Sequence, residues 1–175
     1  NQGLLEFLLW GLYGLIVGSH ASLCSNEHRE DVDTIFLHGG GPSATLTLGF
    51  MNVFLQSKNI KHFKGASMGS IIATYISIFP LHLFYDRFID AVTKHLYRKN
   101  TSEEVVSPLN YQETLNFTRL FLGQDVCKMT LLEFYNTHLE PYGKTLDILV
   151  TDISTCNYAI FNHITKPNVI LEDAL

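Results

Sequence analysis

The spacing of apolar positions changes several times along this chain, and each change predicts a different element. From Gly3 to Gly18 the run GLLEFLLWGLYGLIVG is apolar except for Glu6. It is shorter than the roughly 20 residues a bilayer-spanning helix needs. The expectation is therefore an apolar segment in contact with a membrane, with Gly14 and Gly18 at the spacing that lets membrane helices approach closely. The charged run NEHREDVD, 26–33, reads as a solvated linker. After it the rhythm becomes that of short buried strands alternating with helices. DTIFLH, 33–38, predicts a strand. Pro42 suits the first turn of a helix, which needs no N–H there, and Leu46, Phe50, Val53 and Phe54 continue at helical spacing. HFKGAS brings a second strand into a turn, and MGSIIATYISIF sets Ile71, Ile72, Tyr75, Ile76 and Phe79 on one helical stripe that ends at Pro80.

Strand, helix, strand, helix predicts a parallel sheet with right-handed crossovers, in which ligands gather beyond the carboxyl ends of the strands. Three later stretches, 81–100, 110–123 and 130–140, read as helices, the second with Gly123 as its stop. Residues 33–175 form one domain on this reading, preceded by the apolar segment and linker of 1–32. The strand-like phrases within 146–175 run into a helix-like phrase at Leu175, so the chain reads as part of a larger unit.

Composition removes several partners. With 12 Lys and Arg against 17 Asp and Glu, and no basic stripe, the chain lacks the footprint of a nucleic-acid binder. Cys24, Cys127 and Cys156 are odd in number and stand at no metal-ligand spacing, so neither a disulfide framework nor a metal site is expected. Reduced thiols and the cytoplasmic face of a membrane are the expectation, with a secretory route left open by the small-residue step SHAS at 19–22.

Two glycine-rich turns carry the chemistry. Gly65-Ala66-Ser67-Met68-Gly69 matches G-x-S-x-G, the nucleophile elbow, in which a sharp strand-to-helix turn exposes a strained serine. Gly65 and Gly69 serve it sterically, because the positions two before and two after the serine pass so close that a side chain would force the turn open. The bland alternative is a tight turn whose serine caps the next helix. Gly39, Gly40 and Gly41 stand in the same place after the first strand, where bare N–H groups can receive an oxyanion. The spacings of a phosphate-cradling loop and of a dinucleotide fingerprint both fail, the latter because Ala44 stands where its last glycine belongs.

Strand, GGG, helix, short strand and GASMG together resemble the patatin-like phospholipases, whose pattern is G-G-G-x-[RK]-G followed by G-x-S-x-G. The specific likeness covers 36–79. The stretch LDILVTDISTCNYAIFNHITKPNVILEDAL, 146–175, is similar to that family's later strand pair. The resemblance implies a three-layer α/β/α fold with a mainly parallel sheet, incomplete at the carboxyl end. It also implies a Ser–Asp dyad without histidine, no metal or cofactor, and hydrolysis of acyl esters of phospholipids or other lipids at a membrane surface. By the resemblance Ser67 is the nucleophile, and Gly39, Gly40 and Gly41 build the oxyanion hole. Ser43 departs from the family's Arg or Lys, and Ala44 from its glycine. The Asp-Gly-Gly or Asp-Gly-Ala step that holds the family's aspartate is absent from these residues, so the base is expected beyond Leu175 and the fragment alone to be inactive. Asp152 reads as a turn or capping aspartate.

Two other functions compete. HGGG at 38–41 also fits the oxyanion motif of α/β-hydrolase esterases, but the interval to Ser67 holds only one helix and one short strand, and His163 reads as a hydrogen-bonded structural group. A noncatalytic lipid-binding protein of patatin-like fold is the alternative outside enzymes.

Overall fold

The computed structural model describes residues 33–38, 59–91, 93, 94 and 111–175, together with 5, 8–14 and 16 of the N-terminal segment. Four strands form one sheet in the order β1 (Thr34–Leu37), β2 (His62–Ala66), β3 (Thr145–Asp152) and β4 (Asn157–Phe161). β1, β2 and β3 run parallel, and β4 returns antiparallel to β3 as a hairpin. This is the mixed α/β class with a mainly parallel sheet that the alternating pattern predicts. The register pairs Leu37 with Gly65 and Ala66 with Leu149. β3 then continues through Asp152 beyond the end of β2, so it flanks the turn at Ser67.

The helix α1 (Met68–Ile78) leaves β2 through that turn and lies across β1, β2 and β3. Its expected single stripe is corrected by the structure, since every residue from Gly69 to Ser77 is buried. The reason is that α1 lies between the sheet and a second helical layer. Three buried Ser and Thr hydroxyls on it need partners, and each donates to a carbonyl three or four residues back. Ser70 Oγ donates to Ser67 O at 2.6 Å, Thr74 Oγ1 to Ser70 O at 2.8 Å, and Ser77 Oγ to Thr74 O at 2.7 Å. The helix ends as its sequence requires: Phe79 is extended ahead of Pro80, because a residue before proline is disfavoured in the helical region. Phe79 therefore lies outside the helix, although it still packs against the core.

The second layer is α2 (Phe84–Ala91) and α3 (Tyr111–Leu122). Tyr75 of α1 stacks on Phe121 with centroids 4.6 Å apart, and Phe84 meets both edge-on at 5.1 and 5.5 Å. Phe88 and Phe117 extend the cluster. Such offset and edge-on pairs contribute beyond the area they bury. The stop at Gly123 is present as expected: its φ is 96° and its N–H donates to Arg119 O at 2.9 Å. Of the stretch 81–100, residues 84–91 are α-helical, and Lys94 pairs with Asp90 one turn back at 3.0 Å on the surface. His95, Arg98 and Lys99 lie outside the described residues.

α4 (Gln124–Cys127) and α5 (Leu131–Phe134) follow. Thr130 and Glu133 close a capping box around the start of α5, satisfying two end-of-helix N–H groups reciprocally. The helix expected over 130–140 widens to a π turn at Tyr135–Leu139 and a short 3-10 turn. α6 (Leu171–Ala174) is held to this layer by Leu171 N donating to Met129 O and by Arg119, whose guanidinium grips the Glu172 carboxylate at 2.9 and 3.0 Å. Cys127 is buried beneath them, and desolvation pushes its thiol up to about 12, so it stays protonated.

Candidate active site

Because β1 and β2 are parallel neighbours, their carboxyl ends share one edge of the sheet, and the chain turns into α1 at that edge. Ser67 holds the turn. Its φ of 54° and ψ of −129° fall in the region that type II′ turns reserve for glycine. A serine there carries strain of about 1–3 kcal/mol. Its side chain is exposed and makes no capping bond to α1, which removes the capping alternative. The turn is pinned from the other side: Ser67 O accepts from Ser70 N at 3.0 Å as well as from Ser70 Oγ. The hydroxyl thus stands at the amino end of an 11-residue helix, whose first N–H groups and dipole favour negative charge.

The two motif glycines are there because nothing else fits. A Cβ on Gly65 would sit 2.5 Å from Gly69 O and 2.6 Å from Ser70 Cα. That is the mutual approach across the turn expected from the motif. A Cβ on Gly69 would sit 2.1 Å from Leu37 O and 3.0 Å from His38 C. This second contact was not legible in the motif. It presses the elbow against the end of β1, from which the chain proceeds to Gly39. Gly39, Gly40 and Gly41 themselves lie outside the described residues, as do Pro42, Ser43, Ala44 and the helix expected over 46–54.

Asp152, His163 and His62, each of which could be proposed as a base, are engaged in other interactions. Asp152 accepts from Ser154 N at 2.9 Å and Ser154 Oγ at 2.6 Å. Those bonds hold its carboxyl below the usual range and make it the turn aspartate of the β3–β4 hairpin. His163 lies flat on the Tyr135 ring at 3.5 Å, and burial lowers its pKa against the opposing pull of Asp147 and Glu140. His62 pairs with Thr145 at 2.7 Å and approaches Asp33 at 3.9 Å. Those residues occupy the amino ends of β1, β2 and β3, the edge opposite Ser67. Among the described residues no group of His, Cys, Asp and Glu could hold a metal ion.

No protein-family model matches the chain, and no solved structure matches it. A curated protein does: the chain is similar to "Probable lipid hydrolase 463L" of Invertebrate iridescent virus 6, 29% identical over 152 residues. The match takes in 81% of this chain and 51% of that protein, so the chain spans about half the length of the relative.

Proposed function

We propose that the chain carries the nucleophile-bearing part of a lipid acyl hydrolase, with Ser67 as nucleophile and the backbone N–H groups of Gly39, Gly40 and Gly41 as oxyanion hole. The observation that carries the reading is the conformation of Ser67, strained, exposed and uncommitted to its helix at the carboxyl edge of a parallel sheet. The viral relative named as a probable lipid hydrolase supports lipid esters as the substrate class, and the GGG and GxSxG pair supports the patatin-like form of the reaction. In that form an aspartate takes the Ser67 proton while Oγ attacks the ester carbonyl. The tetrahedral oxyanion is held by backbone N–H groups, collapse expels the alcohol with its proton returned, and water then releases the fatty acid from the acyl-enzyme. The aspartate belongs to the remainder of the whole protein on this proposal, since Asp152 is committed to its turn.

A fluorophosphonate probe tests it. The expected result with the full-length protein is stoichiometric phosphonylation lost in Ser67→Ala, together with release of fatty acid from phosphatidylcholine or lysophosphatidylcholine by the unmodified protein only. A folded protein that takes no Ser67-dependent label rejects the enzyme reading and favours a noncatalytic lipid-binding role.

A further inference from the structure

One stretch of the sheet's hydrogen-bond ladder is left unfinished, and it lies beside Ser67. Thr145 N donates to Lys61 O at 2.9 Å, and in a parallel ladder every second residue of a strand bonds the same neighbour. Residues 145, 147, 149 and 151 of β3 therefore direct their N–H and C=O groups towards β2, while Ile148, Val150 and Asp152 pair with Phe161, Ala159 and Asn157 of β4. Carried forward two residues at a time, this register gives Leu149 N the acceptor Gly65 O and would give Thr151 N the acceptor Ser67 O. Ser67 O is instead turned into α1, where it accepts from Ser70 N at 3.0 Å and from Ser70 Oγ at 2.6 Å. The N–H and C=O of Thr151, an exposed residue, thus take no backbone partner from β2 among the described residues. Their place is fixed all the same, because Asp152 beside them is held by its pairing with Asn157 and by its bonds to Ser154.

We infer that this free edge of Thr151 receives the alcohol part of the ester and makes the site prefer alcohols that carry a free hydroxyl, as in a monoacyl glyceryl ester. The inference rests on the hydrolase reading of Ser67 and names the substrate of that same site. Leu149 is level with Ala66, so Thr151 stands about 7 Å beyond that row and about 4.8 Å to its side. Its two polar groups face the space beyond the elbow. β2 has β1 on one flank, whose end leads the chain to Gly39, and β3 on the other. An ester at Ser67 whose oxyanion is drawn to the glycines and the amino end of α1 therefore has Thr151 on its opposite flank. A fatty acyl chain laid there would strip water from an N–H and a carbonyl and give neither a partner, which is costly. The alcohol part carries oxygen. A hydroxyl both accepts and donates, so it answers the N–H and the carbonyl together.

The full-length protein is assayed on monooleoylglycerol and on propyl oleate in the same mixed micelles, which sets one acyl chain on an alcohol with free hydroxyls and on one with none. The expected kcat/KM is about tenfold higher for monooleoylglycerol. Thr151→Pro deletes the N–H, removes no β3–β4 bond and follows a residue that is already extended, which are the conditions under which a strand accepts proline. It is expected to lower kcat/KM about tenfold on monooleoylglycerol and to leave propyl oleate unchanged. Thr151→Ala keeps the N–H and is expected to change neither ester by more than about twofold. Fluorophosphonate labelling of Ser67 proceeds at the unmodified rate in both variants, since the probe carries no glyceryl alcohol. A labelled Thr151→Pro protein that keeps the full preference overturns the inference. Where that variant loses its cooperative thermal transition the unmodified protein decides, equal kcat/KM on the two esters overturning the inference and the preference upholding it. An unmodified protein that takes no label rejects the hydrolase reading itself, whereas a labelled one indifferent to the hydroxyl loses only this inference.

Discussion

The aromatic cluster between α1, α2 and α3 and the elbow between β2 and α1 are both tightly packed, yet by opposite means. In the cluster Tyr75, Phe84, Phe88, Phe117 and Phe121 fill space with rings. At the elbow Gly65 and Gly69 let backbone meet backbone with no side chain between them. Rings can lean or repack when one is trimmed. Carbonyl oxygens at the end of β1 have no such freedom, so the elbow tolerates less change than the core.

The first way to break that comparison is to add one methyl group to the elbow. Gly69→Ala would set a Cβ 2.1 Å from Leu37 O, and with only backbone to yield, a loss of about 5 kcal/mol or more is expected, seen as failure to recover a cooperative thermal transition. Removing a whole ring is the matched test. Phe121→Ala is expected to cost about 4 kcal/mol in urea unfolding, with Ser67 still open to the fluorophosphonate probe. If Gly69→Ala were the milder of the two, the contrast would be false. Ser67→Gly sharpens it from the other direction, because it relieves the positive φ. A gain of about 1–2 kcal/mol is expected, with complete loss of labelling.

The smallest effect is a pH dependence in the clamp on α6. Hydrogen bonding to Arg119, aided by its charge, lowers the Glu172 pKa from its ordinary 4.5. A group whose folded pKa is depressed stabilises fully above its unfolded value and loses that contribution as pH falls through the folded one. The unmodified protein should therefore exceed Glu172→Gln in thermal midpoint at pH 7, and the gap should close as pH falls below about 4.5. A gap that persists at pH 2 would mean the carboxylate's charge is not its source.

Much of the fold was legible because local pattern and tertiary place agree. The aliphatic and aromatic residues of TIFL and HFKGA, the stop at Pro80 and the cap at Gly123 each announce their element without reference to distant residues. The Gly65 approach to Gly69 was readable for the same reason, being local to one motif. What remained hidden depends on neighbours far along the chain. The all-round burial of α1 follows from aromatic residues some 40 positions away on α3. The Gly69 contact with Leu37 follows from strand order. The exposure of Leu5, Leu8, Leu9 and Leu12 was hidden because an almost wholly apolar run has no moment from which to tell inside from outside.

The approach of Gly69 to Leu37 also sets the smallest unit that could be transplanted. A designer who grafted residues 62–78 alone onto another sheet would carry over the serine and its helix but leave behind the surface against which they are moulded. Residues 33–38 would have to travel with them, in the same register. The two strands constitute one cassette, inherited or engineered together.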